Sequence, residues 1–530
     1  MHKSVYARVL ALLLWLLCAP AMAALDARLV KQLTDDDSDQ KIAAISALAA
    51  TASPDAQKLL TALGNDALYA SDSKIWFKAD DKAYDAVSGA ELNPAPEDVD
   101  TVSINNRVRG ALQGALSGFS LLDKDPAVRM KSVQALQSSV GPAMVPMLTT
   151  ALKTETDKGV KAQLEQLLAQ ANLQNPDAKA RLAAVDGLAH SNSPAARGLL
   201  LALTDPAHEK DATVRTAAQS AVASIDSRLA WIAAVANVFS GLSLGSILLL
   251  AALGLAITYG VMGVINMAHG ELLMVGAYSA YVTQGVFRAH FAGAQDWYLV
   301  AAIPVAFCAA ALVGMLMERT VIRWLYGRPL ETLLATWGIS LVLIQAARAL
   351  FGPQNVEVSN PSWMSGGIEL LPSLILPWNR VVIIGFALSV LVLMWAIMQK
   401  TRLGLFVRAV TQNRAMAGCV GVATRRVDTL AFGLGAGIAG LGGLALSQIA
   451  NVGPDMGQGY IVDSFLVVVL GGVGQLAGAV WAALGLGIVT KLLEGWAGAV
   501  IAKILVLAFI IVFIQRRPQG LFALKGRVVD

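Results

Sequence analysis

The stretch Gly263-Val264-Ile265-Asn266-Met267-Ala268-His269-Gly270-Glu271 sets an amide, an imidazole and a carboxyl inside an otherwise apolar region. Such groups at membrane depth are costly without partners, so they mark either a solute path or bonds between helices. Asn266 and His269 lie three apart and would share a helical face; Glu271, two beyond His269, would point to the opposite side. Either Gly270 breaks the helix and bares backbone groups to a polar solute, or Glu271 serves a separate packing contact. Asn266, His269 and Glu271 are therefore the candidate path residues. Interhelical hydrogen bonding is the alternative role for His269 and Glu271.

A second chemically distinct stretch runs from Thr401 to Thr429. Val407, Val410, Arg414, Ala417 and Gly421 recur there at steps of three and four, which predicts a short amphipathic helix closed by a glycine. Arg408, Asn413, Arg414, Ala417 and Gly421 would present this helix to a cytoplasmic partner; a basic helix lying on the membrane surface is the alternative. No catalytic constellation accompanies either stretch. His190 and His208 stand alone, no metal-ligand spacing occurs, and the phosphate-cradling Gly-x-x-x-x-Gly-Lys-Ser/Thr loop is missing from the sequence. A non-enzyme without a metal or cofactor of its own is expected, and any ATP would be bound by another chain.

Composition explains what must position these residues. The chain has 530 residues, 56% hydrophobic and only 15% charged, against about 25% charged in a soluble domain. From Ala24 to Arg228 there are 26 Asp and Glu against 21 Lys and Arg; from Leu229 onward there are 11 against 18. An ordinary acidic part thus precedes an apolar part whose bases lie between hydrophobic runs. The three cysteines, Cys18, Cys308 and Cys419, have no pairing spacing, and Cys308 reads as a small core residue.

Residues 1–23 carry Lys3 and Arg8, an apolar Val9–Leu17 core and Ala21-Met22-Ala23, the pattern of a cleaved signal peptide. Beyond it, Lys41-Ile42-Ala43-Ala44-Ile45, Leu48, Ser53-Pro54, Leu59-Leu60 and Leu63 recur at an offset of 140 as Arg181-Leu182-Ala183-Ala184-Val185, Leu188, Ser193-Pro194, Leu199-Leu200 and Leu203. A third copy opens at Asp125 and a partial fourth at Asp211. Each copy reads as two helices around a proline turn, and such pairs must stack to bury their apolar stripes. Residues 64–110, with Tyr69, Trp76, Phe77, Tyr84 and Pro94-Ala95-Pro96, interrupt the pattern and fit no element.

After Asp226 the apolar segments fall near 236–259, 264–287, 297–317, 332–351, 380–398, 427–449, 463–476, 477–493 and 497–514. Most approach the ~20 residues that span hydrocarbon; 463–476 is short enough for a half-helix. Arg319, Arg323 and Arg328, then Lys400 to Arg426, then Arg516, Arg517, Lys525 and Arg527 form basic clusters, which the positive-inside bias puts in the cytoplasm. An outside N-terminus then needs an odd number of crossings, met only if 463–476 and 477–493 count separately. Glycines crowd 433–443 and 471–478, where they favour close helix packing or local breaks. The expected fold is all-α: a signal peptide (1–23), a periplasmic helical-repeat domain (24–230) and a transmembrane helical bundle (231–530).

The Ile-Asn-x-Ala-His-Gly-Glu run, the helix ending at Gly421, Leu470-Gly471-Gly472-Val473-Gly474 and Arg517-Pro518-Gln519-Gly520-Leu521-Phe522 together resemble the branched-chain amino acid permease family of ABC importers. The likeness covers about residues 236–524. The repeats resemble HEAT-like repeats, and a signal peptide plus such an extension is similar to the urea-transporting branch of that family. The resemblance implies a bacterial inner-membrane importer with a second homologous permease, two cytoplasmic ATPase subunits and a periplasmic solute-binding protein. It further implies that Arg408 to Gly421 form the coupling helix and that Asn266 to Glu271 line the path. Branched-chain amino acids or other small amides or amino acids are the alternative substrates, and a passive solute channel is the rival class.

Overall fold

The computed structural model describes residues 25–522 apart from 52, 72–73, 80–81, 93, 95–99, 138–139, 372–373 and 473. The expected signal peptide with Cys18, Ala95 and Pro96 of the proline turn, Val473 and the basic Lys525 and Arg527 lie outside the described residues. The protein is 74% helical and 5% strand. It divides into two compact units, Met1–Leu229 and Ala230–Asp530.

In the first unit the copies found in the sequence are helix pairs: Ser38–Ala50 with Pro54–Gly64, Pro126–Leu136 with Val145–Thr154, and Ala178–Ala189 with Pro194–Ala202. The repeat extends to the caps. Asp37 and Asp177 accept from the backbone amides two residues on, and Ser53 and Ser193 cap the second helices just before a proline at the first helical position. Arg129, Arg181 and Arg215 each donate one guanidinium nitrogen to the carbonyls five and six residues earlier. Lys41, the counterpart of Arg181 in the first copy, instead reaches the Ser103 carbonyl at 3.0 Å, within the interruption.

That interruption is a five-stranded antiparallel sheet, the feature that residue patterning left unassigned. Leu68–Ala70, Ile75–Ala79, Lys82–Asp85, Glu91–Leu92 and Asp100–Thr101 pair with the first strand between the second and the fifth. Its aromatics serve local packing: Tyr69 stacks on Trp76 at 4.5 Å and Phe77 on Tyr84 at 5.6 Å. The strands are two to five residues long, too short for alternation to register in the sequence.

The second unit is a polytopic bundle. Among the described residues, seven helices are long and apolar enough to cross a membrane: Ala212–Met262, Gly293–Thr320, Pro329–Phe351, Trp378–Lys400, Thr424–Leu446, Leu476–Ala497 and Ala499–Arg516. Two more lie outside that set. His269–His290 is long but more polar, and Gln458–Gly471 has 14 residues, about 21 Å against ~30 Å of hydrocarbon. The short helix is thus Gln458–Gly471 rather than 463–476. Cys308, expected in the core, is exposed on the outer face of its helix.

Thr424–Leu446 is the central element: 89% of its most apolar 18 residues are buried, against 17% for Ala499–Arg516. Its glycines are there for contact. A Cβ on Gly443 would lie 1.8 Å from the Leu273 carbonyl oxygen, and one on Gly435 2.6 Å from that of Gly254. Gly276 faces the Gly440 carbonyl oxygen at 2.0 Å in the same sense. Backbones therefore touch directly, the small-residue packing that lipid-embedded helices use.

Candidate functional site

The polar stretch sits at a break between two helices. Ala212–Met262 stops at Gly263, whose φ of +65° is accessible to glycine at little cost, and the next helix starts only at His269. The break is therefore at Gly263. Gly270 lies within the first helical turn, where a Cβ would come 2.4 Å from the Gly457 carbonyl oxygen. Asn266 is outside the helix, so it shares no helical face with His269. Its carboxamide oxygen accepts from the Ala268 amide at 3.0 Å and shapes the turn.

Three helices hold this segment. His269 Nε2 meets the Ala251 carbonyl oxygen at 2.9 Å. A carbonyl only accepts, so Nε2 carries the proton and Nδ1 is left as an acceptor. Ala251 lies eleven residues before Met262, about 16 Å back along the helix, which puts His269 well inside the bundle. Ser340 donates to Glu271 Oε1 at 2.9 Å, and the Met267 amide donates to Thr336 Oγ1 at 3.1 Å, both on Pro329–Phe351. His269 and Glu271 thus reach different helices. Gly457, just before Gln458–Gly471, packs on Gly270, so two helix N-termini meet here. The positive ends of the two helix dipoles favour partial negative charge at this point.

This anchoring leaves bonding capacity unused. Asn266, His269 and Glu271 are each at most 1% exposed. Asn266 Nδ2, His269 Nδ1 and Glu271 Oε2 are nevertheless buried without a hydrogen-bond partner. Buried polar groups are almost always paired, so such atoms call for a ligand, water or functional explanation.

The second candidate stretch is two helices rather than one, Arg402–Gln412 and Arg414–Cys419. Asn413 separates them with an extended backbone and caps the second by accepting from the Met416 amide. Arg408 donates to the Met398 carbonyl at 2.7 Å. Val407, Val410 and Ala417 are buried, while Met416 and Val420 are 60% and 72% exposed. Gly421, at φ +91°, ends the second helix: its amide bonds Gly418 O and the Val422 amide bonds Ala417 O, the paired bonds of a Schellman cap. Arg414 forms an ion pair with Asp428 and stands over the Tyr326 ring.

Sequence reasoning missed the groups behind Arg414. Glu318 and Asp428 are fully buried acids. Arg323 and Thr429 bond Glu318 at 3.2 and 2.6 Å. The available signal was an acid inside an apolar helix, Asp428 in Thr424–Leu446 and Glu318 in Tyr298–Thr320. Among the described residues no group of His, Cys, Asp and Glu could hold a metal ion.

Comparison with known proteins places the second unit. The model of the family described as branched-chain amino acid transport system / permease component matches residues 237–514. The chain is similar to the high-affinity branched-chain amino acid transport system permease protein LivH of Escherichia coli (strain K12), 31% identical over 293 residues, 54% of this chain and 94% of that protein. LivH of Salmonella typhimurium is 30% identical over the same extent. BraD of Pseudomonas aeruginosa is 25% identical over 288 residues, 53% of this chain and 93% of that protein. No solved structure matches. With half the chain matched by the family model and nearly the whole length of these relatives covered, the chain belongs to the permease family of branched-chain amino acid transport systems.

Proposed function

We propose that this chain is the membrane-spanning permease subunit of an ATP-driven importer for urea. It would assemble with a second homologous permease, two cytoplasmic ATPase subunits and a periplasmic solute-binding protein, in a bacterial inner membrane with residues 24–230 in the periplasm. The observation behind the substrate is the chemistry of the buried polar set. Among the described residues of the second unit no Lys or Arg is buried, while the broken segment offers one amide donor and two unshared acceptors. A small neutral solute with one carbonyl and two amino groups suits that set. A zwitterion would need a cationic partner for its carboxylate. Residues 408–421 would be the docking element for an ATPase, with Met416 and Val420 as its exposed apolar contacts.

A second reading, branched-chain amino acid import, is favoured by the printed names of the relatives and by the two helix N-termini at Gly270 and Gly457, which would accept a carboxylate. The test is uptake by the assembled complex in vesicles with labelled urea and, separately, labelled leucine. ATP-dependent urea uptake that excess leucine does not inhibit is expected. Leucine uptake without urea uptake would overturn the urea reading, and equal urea flux without ATP would make the protein a channel. Orientation has its own check: a reporter active only in the periplasm should work when fused near Asp226, and one active only in the cytoplasm when fused after Arg517.

A further inference from the structure

The ring of Tyr326 touches the docking segment on one side and the broken helix on the other. Tyr326 lies after the short turn Ile322–Leu325 that follows Tyr298–Thr320. The Arg414 guanidinium carbon sits 4.9 Å from its ring centroid. Its hydroxyl lies 2.9 Å from Met262 Sδ and 3.4 Å from Glu318 Oε1. Met262 is the last residue of Ala212–Met262, so the hydroxyl holds the helix end next to Gly263. Met262 and Tyr326 also pack against one apolar cluster with Val264 and Ala268 of the break and Leu272 in the first turn of the next helix.

Two features make this a movable joint rather than a rigid weld. The hydroxyl has one proton and two acceptors in reach, and sulfur is the weaker of them. Glu318 accepts from Arg323 and Thr429 through Oε2, and its Oε1 takes only a 3.4 Å bond from Arg323 Nε besides the tyrosine, so the nearer sulfur and the more distant Oε1 compete for that proton. Asp428, the ion-pair partner of Arg414, keeps a buried second oxygen without a partner. That oxygen leaves room for an alternative pairing when Arg414 shifts.

We propose that Tyr326 is the positioning residue that carries displacement of the Arg414 segment to Met262, and so to the segment bearing Asn266 and His269. A push on the docking helices moves the guanidinium over the ring; the ring moves its hydroxyl between Met262 and Glu318; the helix end is released or held accordingly. The inference rests on the permease reading above and adds the residue through which docking and path communicate.

The experiment compares wild type, Tyr326→Phe and Met262→Leu in the complete complex in vesicles, reading substrate uptake and ATP hydrolysis together. Tyr326→Phe keeps the ring under Arg414 and deletes only the hydroxyl; Met262→Leu removes the sulfur at similar volume. Uptake per ATP should fall at least about fivefold in each, the lower end of measured coupling between sites, with the ATPase still associated. The double variant should be no worse than Tyr326→Phe alone, because both delete one contact. Tyr326→Trp, which removes the hydroxyl, should not restore coupling. An unchanged uptake-to-ATP ratio in Tyr326→Phe, or effects of the two substitutions that simply multiply, would overturn the proposal. If Tyr326→Phe does not accumulate in the membrane, Met262→Leu decides alone on the same ratio. Wild type that neither binds an ATPase nor uses ATP would defeat the permease reading instead, which keeps the two failures distinguishable.

Discussion

The two units differ in how they pair particular buried polar groups. In residues 25–229 the buried carboxylates Glu209 and Glu155 are fully paired. Glu209 takes two bonds from Arg181, at 2.6 and 2.8 Å, and one from the Asp211 amide. Arg181 spends its remaining nitrogen on the carbonyls of Asn175 and Pro176. Arg129 and Glu155 repeat the arrangement one copy earlier. In the membrane unit Asn266, His269, Glu271 and Asp428 each keep one buried atom unpaired. A saturated pair contributes to the fold and offers nothing to a ligand, whereas spare capacity is tolerated only where a solute, a moving partner or water will use it. Helix contacts differ in the same way. Gly198 in the repeats has open space around it, while Gly443 abuts backbone.

The largest effect expected from this contrast is Gly443→Val. With the Leu273 carbonyl oxygen 1.8 Å from a new Cβ, Thr424–Leu446 cannot pack, and folded protein in detergent extracts should be nearly lost. Normal yield with an unchanged thermal transition would break the packing half of the comparison.

Next comes Arg181→Met, which strands the Glu209 carboxylate at 3% exposure. The loss should be about 2 kcal/mol, below the ~3–5 of a fully buried pair because the guanidinium retains some solvent contact. Protease susceptibility of residues 25–229 in the intact chain would report it. Arg181→Met with Glu209→Leu should recover most of the loss; a double variant as weak as the single would mean the pair itself is not what matters. The same pair predicts a pH dependence. The hydrogen bond from Arg181 holds the Glu209 carboxyl below its ordinary value, against the opposing effect of burial, and Arg129 does the same for Glu155. A depressed carboxyl stabilises the fold above its unfolded value of about 4.3, and that contribution is lost as pH falls through the folded value. Protection of the repeats should therefore decline below about pH 4.3, and less steeply in Arg181→Met.

In the path, Asn266→Ser keeps an oxygen to accept from the Ala268 amide and removes the unpaired Nδ2. Uptake should drop about tenfold at unchanged abundance if that donor meets the solute, and His269→Gln should lie between wild type and His269→Ala. Full uptake in an Asn266→Ala, His269→Ala double variant at normal abundance would place the path elsewhere in the bundle. The smallest effect belongs to Gly198→Ala, in mid-helix with nothing within 4 Å. It should stabilise the repeats by about 0.5–1 kcal/mol, and destabilisation would show that the open space is occupied.

Periodicity alone determined the helical class, the apolar segments and the repeat. These follow from how side chains of one chain segment partition between water, core and lipid, a property that each segment carries locally. The glycine at 421 that closes the second short helix was legible in the same way, whereas the caps at Asp37, Ser53, Asp177 and Ser193 appear with the fold. The tertiary structure decided what depends on partners far away in sequence. The helix breaks at Gly263 and not at Gly270, because Gly270 is needed for contact with Gly457, 187 residues away. The amphipathic stretch 402–419 bends at Asn413, and Cys308 faces outward, since helical spacing names a face without saying what lies opposite it. The joining of Arg414, Tyr326, Glu318 and Met262 was invisible in the sequence, because it is assembled from three separate stretches whose only common property is that the folded bundle brings them together.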